Sequence, residues 1–153
     1  MNETLTTERL TQIIERKSKS LETIFDAIPV GLMLVDESMT VVRINNAIRK
    51  MIGKDFADII NKPVGQAINC RTTQTSNCGQ DECCRSCPIR TNVMKVFQTL
   101  EAIEEFEFEN QTFFNGKCPK LFFALTVKHV IIDEKNHVVV CLNDITRRKL
   151  AEE

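Results

Sequence analysis

"GLMLVDESMTVVRINNAIRKMIG", residues 31–53, changes its hydrophobic period twice within one short stretch. GLMLVD is a short apolar run, DESM has turn composition, and VVRIN is a second strand-like run, so the first half predicts a β-hairpin. NNAIRKMIG then takes up helical spacing, with Gly53 placed to end the helix. Upstream, Leu10, Ile14, Leu21, Ile24 and Ile28 recur at alternating steps of four and three, with Lys17 filling one position of the stripe. This predicts an amphipathic helix over 5–28, halted by Pro29. Such a helix either packs on its own domain or forms a seam with a second copy.

Downstream, DFADIINKPVGQAI reads as one or two helical turns broken at Pro63 and Gly65. After Pro88, IRTNVMKVFQTLEAI carries helical spacing through Ile89, Val93, Val96, Phe97 and Leu100. EFEFENQTFF alternates as a half-buried strand, its glutamates forming a solvated face. Asn115-Gly116 marks a hairpin turn. LFFALTVKHVII predicts a long strand, DEKN a turn, HVVVCLND a last strand and TRRKLAEE a final helix. Strand runs on either side of a helical middle predict an α+β fold, an antiparallel sheet with helices on one face.

The bulk properties exclude several classes. A length of 153 residues suits one domain. The net charge of −1 gives no electrostatic reason to expect nucleic acid as a partner. No apolar run is long enough to span a membrane. The N-terminus is polar and acidic, unlike a secretion signal, so a cytoplasmic location is expected. Nothing resembles a nucleophile with its base, a phosphate loop or a paired-carboxylate site, so the chain is not expected to be an enzyme.

The order of elements resembles that of PAS domains. AIPVGLMLVDESMTVVRINNAIRKMIG is similar to the opening of that family, including the Asn-x-Ala step at Asn45 and Ala47. VVVCLNDITRRKLAEE is similar to its end, where Asp144-Ile145-Thr146 matches the Asp-x-Thr triplet that joins the last strand to an outgoing signalling helix. The resemblance implies a five-stranded PAS-like sheet and divides the chain into an N-terminal dimerisation helix (1–28), a PAS domain (29–146) and the start of an output helix (147–153). It also implies a sensory module of a bacterial signal-transduction protein, a homodimer through its helices, with a fused or downstream effector such as a histidine kinase, a cyclase, a chemoreceptor or a transcription regulator. The truncated final helix suggests an excised input domain.

The family pattern does not need the cysteine-rich segment 70–88. Five of the seven cysteines fall between residues 70 and 87, spaced C-x7-C-x4-C-C-x2-C. In a reducing compartment such a cluster points to metal or redox chemistry rather than structural disulfides. Adjacent cysteines seldom both serve one centre, so the expected ligands are Cys70, Cys78, Cys84 and Cys87, with Cys83 as the alternate. Four thiolates suit either zinc or an iron–sulfur cluster. The single C-x2-C pair, the Cys87-Pro88 step and the charges of Arg71, Arg85 and Arg90 favour the cluster. It would serve redox or oxygen sensing. The alternatives are a structural zinc clip in a dimerisation module, a metal-free thiol–disulfide switch, and a small-molecule sensor with a ligand cavity. Cys118 and Cys141 read as small core or edge residues. His129 and His137 read as surface or edge positions rather than haem ligands. Phe97, Phe106, Phe108, Phe122 and Phe123 read as core. INCRTTQ has only a superficial likeness to the flavin-binding stretch of light-sensing PAS domains.

Overall fold

A computed structural model describes residues 2–53, 55–64, 87–110 and 121–152. The opening stretch folds as its periods predict. Strand β1 (Gly31–Asp36) buries Gly31, Met33 and Val35 and leaves the alternate positions half-buried. Strand β2 (Val41–Ile44) returns antiparallel beside it. The turn between them is built by Asp36, whose carboxylate accepts the backbone N–H of Ser38 at 2.9 Å and of Thr40 at 3.1 Å. This is the local capping that aspartate supplies in turns.

Helix α2 (Asn46–Ile52) starts at Asn45, whose side-chain oxygen accepts the N–H of Ile48. It stops at Gly53, which takes a left-handed φ of 76° and donates to the Arg49 carbonyl at 2.8 Å. The short α3 (Phe56–Ile59) buries Ile59. Helix α4 (Pro88–Thr99) buries Ile89, Val93 and Val96 on one stripe. Leu100 does not extend that stripe as its spacing suggests. It ends the helix in a left-handed conformation, φ 60°, and is 55% exposed.

The remaining strands are β3 (Ile103–Asn110), β4 (Leu121–Ile132) and β5 (Lys135–Asp144), and α5 (Thr146–Glu152) follows. The sheet order is β2-β1-β5-β4-β3 with every pairing antiparallel. DEKN is only half turn. Ile132 pairs with Lys135, so the loop is Asp133-Glu134, both at positive φ, and Lys135 and Asn136 belong to β5. Positive φ at both central residues matches the twist of a tight hairpin.

Inward residues of the sheet meet α2, α3 and α4 in one core, in which Met33, Ile48, Val93, Phe123, Leu125 and Val140 are sealed from solvent. The five-stranded α+β arrangement with helices on one face is therefore present. The N-terminal helix α1 (Asn2–Ala27) is present too, but its apolar stripe does not pack on the domain. Leu10, Ile14, Leu21 and Ile24 are 55–68% exposed. Its C-terminal end is anchored, where Glu22 approaches Arg43 at 3.4 Å and the Arg43 guanidinium lies over the Phe25 ring.

Candidate metal centre and output junction

The cysteine segment departs from one fixed point and returns to another. Before it, Pro63 bridges to Thr40, and the buried Val64 donates its N–H to the Met39 carbonyl at 3.0 Å. After it, Cys87 occupies the N-cap of α4 and its carbonyl accepts the Thr91 N–H at 2.9 Å. Cys70, Cys78, Cys83 and Cys84 lie outside the described residues, as do Arg71, Arg85, Cys118 and the Asn115-Gly116 turn. Of the expected ligands, Cys87 alone is placed. It is half-buried and packs against the main core.

The helix start beside Cys87 is firmly braced. Pro88 fills the first helical position, where a missing N–H costs nothing. The buried Asn92 donates from its side-chain amide to the Pro88 carbonyl at 2.7 Å, and Ile89 is buried one step further on. A thiolate donor fits this position, because a helix N-terminus carries partial positive charge. Arg90 is half-buried on the same turn. It lines a cleft of about 430 Å³ together with Glu37, Met39, Pro63, Met94 and Phe97.

The second feature is where α5 leaves the sheet. Asp144 accepts the Thr146 N–H at 2.9 Å. Ile145 is buried and donates its N–H to the Phe122 carbonyl of β4 at 2.9 Å. The Thr146 hydroxyl accepts the Phe122 N–H at 3.0 Å and turns back toward the Phe122 carbonyl at 3.4 Å. The triplet thus fixes the first turn of α5 to β4 through backbone groups. Sequence reasoning missed a further contact. Glu107, on the face read as solvated, accepts from Arg148 at 2.6 Å and pairs with Lys149 at 3.0 Å. Lys149, by its hydrogen bond, and then Arg148 hold the Glu107 carboxyl below the ordinary carboxylate value. The pairing therefore persists at neutral and mildly acidic pH and is lost only as pH falls through that lowered value.

The fold has counterparts. The sequence model described as "PAS domain" matches residues 29–147. The chain belongs to the PAS domain family. Solved PAS domains similar to it include the following three. That of an HTR-like protein from Haloarcula marismortui is 14% identical, covers 86% of this chain and 99% of its own, and gives a TM-score of 0.59. That of nitrogen regulation protein NR(II) from Vibrio parahaemolyticus is 12% identical, with 81% and 96% covered and a TM-score of 0.60. A PAS domain from a two-component sensor histidine kinase is 8% identical, with 85% and 97% covered and a TM-score of 0.59. At such identities the likeness shows the fold. No curated protein matches the sequence significantly.

Two expectations about single residues of this PAS domain, His137 and Phe106, need correction. His137 is not at the surface: it is 9% exposed on the central strand β5, its ring Nδ1 3.1 Å from the Lys135 carbonyl. His129 Nε2 lies 2.7 Å from Asn136 Oδ1 across the β4–β5 hairpin. Phe123 is core, and Phe97 and Phe108 pack against the core, but Phe106 is 42% exposed on the edge strand β3. Cys141 is half-buried on the sheet face away from the helices, and burial pushes its thiol pKa up, which disfavours the thiolate. No helix among the described residues is long and apolar enough to cross a membrane.

Proposed function

We propose that this PAS domain is the sensory input module of a bacterial signal-transduction protein rather than an enzyme. In this reading Cys70, Cys78, Cys84 and Cys87 hold a metal centre, with Cys83 as the alternate ligand. An iron–sulfur cluster is favoured and zinc is the alternative. A cluster supplies reversible electron transfer and sensitivity to oxygen, whereas zinc supplies only a fixed tie. The observation that carries the reading is the position of Cys87. It is the last cysteine of the cluster and also the N-cap of α4, the helix that covers the inner face of the sheet.

When Cys87 is tied by ligation, the N-terminus of α4 is held, because ligand binding is local folding free energy. When it is released, α4 is restrained by the burial of Ile89, Val93 and Val96 and by the Asn92 brace. Such a difference biases α5 through the sheet and the Asp144-Ile145-Thr146 junction. The downstream effector is proposed to be of the histidine-kinase type, the class from which one similar PAS domain comes, and the location cytoplasmic.

A second reading, a PAS dimerisation module with a zinc clip, draws on the exposed stripe of α1. Homodimerisation through that stripe is common to both readings. In the third alternative, a small-molecule sensor, the cleft beside Arg90 takes the ligand.

Replacing Cys84 tests the ligand set. Cys84→Ser is expected to lower bound metal to background while the circular dichroism of the sheet stays unchanged. Full metal content in Cys84→Ser would show that the ligand set is wrong.

A further inference from the structure

Glu107 links the edge strand β3 to α5. It lies on β3, which follows α4 after only three residues, Leu100–Ala102. It reaches α5, 41 residues further along the chain. The contact is a closed ring of charge. Arg148 and Lys149 each face Glu107 on one side and Glu152 on the other, at 2.6, 3.0, 3.9 and 3.8 Å. α5 is therefore held to two strands by two kinds of contact. Thr146 and Ile145 bind it to β4 through the Phe122 backbone, and Glu107 binds it to β3 through charge.

The two strands differ in freedom. Among the described residues, β4 is paired on both sides, with β5 and with β3, whereas β3 is an edge strand paired with β4 alone. β3 also carries a register irregularity between Ile103 and Phe106, with Glu105 at a φ of 49°. A displacement of α4 can thus shift the start of β3 against one ladder only, and the neighbouring strands need not move. An irregularity of this kind is a place where a strand bends.

We infer that Glu107 is a positioning residue that couples α4, through β3, to the outgoing helix, in parallel with the Asp-x-Thr junction. In calling α5 the output, the inference rests on the proposed sensory function. The coupling itself does not depend on any metal, so it is tested without one.

Exposed ion pairs are individually weak, so the expected effect of breaking this one is modest, about threefold in an opening equilibrium. Amide hydrogen exchange of α5 in the full chain reads it directly. Glu107→Gln is expected to speed exchange in α5 about threefold. Glu104→Gln serves as the control, since Glu104 sits on the same strand and pairs with Lys128 at 3.6 Å; it should leave α5 unchanged. High salt should reproduce the Glu107→Gln effect in the native chain and add less in the variant, where only the pairs with Glu152 remain to be screened.

Coupling is then read by a double-mutant cycle. Asn92→Ala removes the brace at the start of α4. It should alter α5 exchange when Glu107 is present and much less in the Glu107→Gln background. Equal α5 exchange in Glu107→Gln and Glu104→Gln overturns the inference. So does an Asn92→Ala effect of the same size in both backgrounds. Either failure leaves the metal reading standing, since that reading is judged by metal content.

Discussion

Asn45→Ala is expected to destabilise the domain by about 3–5 kcal/mol, because the lost groups are buried and all of them are satisfied. Asn45 is sealed from solvent. Its side-chain oxygen accepts the N–H of Leu32 at 3.0 Å and of Ile48 at 3.2 Å. Its amide donates toward the carbonyls of Phe25 and Ile28, both at 3.3 Å, and of Val30 at 2.9 Å. One side chain thus joins the end of α1, the approach to β1, β1 itself and the cap of α2. Alanine leaves two N–H groups and three carbonyls without these partners. Asn45→Asp separates the donor role from the acceptor role. It keeps the acceptor but turns a carboxylate toward three carbonyls. That variant should be less stable than Asn45→Ala at neutral pH and should recover as pH falls. The introduced carboxyl has a raised folded-state pKa, so the deficit grows as pH rises toward that value. Urea unfolding at two pH values checks both statements. A loss below about 1 kcal/mol for Asn45→Ala would mean that these bonds are replaced by water.

The second large effect is steric. Gly31 opens β1 directly beneath α2. A Cβ built there meets Ile48 Cδ1 at 2.6 Å and Cγ1 at 2.9 Å, and the Leu142 carbonyl oxygen at 3.2 Å. The end of an isoleucine can ordinarily move, but Ile48 is fully buried among core residues, and the Leu142 oxygen belongs to the sheet backbone. Gly31→Ala is therefore expected to cost about 1–3 kcal/mol, the usual range for overpacking a core, and Gly31→Val more. Ile48→Val removes the offending δ-methyl. In the Gly31→Ala background it should cost less than it does alone, which a double-mutant cycle of denaturant midpoints would show. Simple additivity would mean that the clash is relieved by backbone movement.

These two sites show how much the sequence discloses and where it stops. The hairpin of residues 31–44 was legible because alternating burial and the Asp36 turn are local events. The α2 helix was legible through Asn45 and Gly53, both residues with strong cap preferences. The long strand 121–132 is rich in β-branched and aromatic residues, with Lys128 as its one ordinarily charged member. By contrast, the other bonds of Asn45 span 13 to 20 residues, and no spacing rule announces them. The Asp133-Glu134 turn and the end of α4 at Leu100 use positive φ without a glycine to mark it, so the sequence suggested a longer turn and a longer helix. Phe106 reads as core by type but lies on an edge strand, and His137 reads as surface by type but lies on the central one. Position in the sheet decides burial in both cases, and that position follows from strand order. Glu107 looked like one of several solvated glutamates because its partners arrive only when α5 returns over β3. The cysteine cluster was the plainest signal in the chain, yet the structure places only its last member, Cys87.

The central claim is that the cysteine segment of this PAS domain holds a redox-active metal centre. Metal and acid-labile sulfide analysis, with an absorption spectrum, on protein purified without oxygen tests it most directly. Iron and sulfide in near-stoichiometric amounts, with a broad visible band that changes on exposure to air, is the expected result. Zinc alone with no visible absorption would contradict the redox account and leave the cysteines as a structural clip. Protein with neither metal would contradict the metal centre altogether.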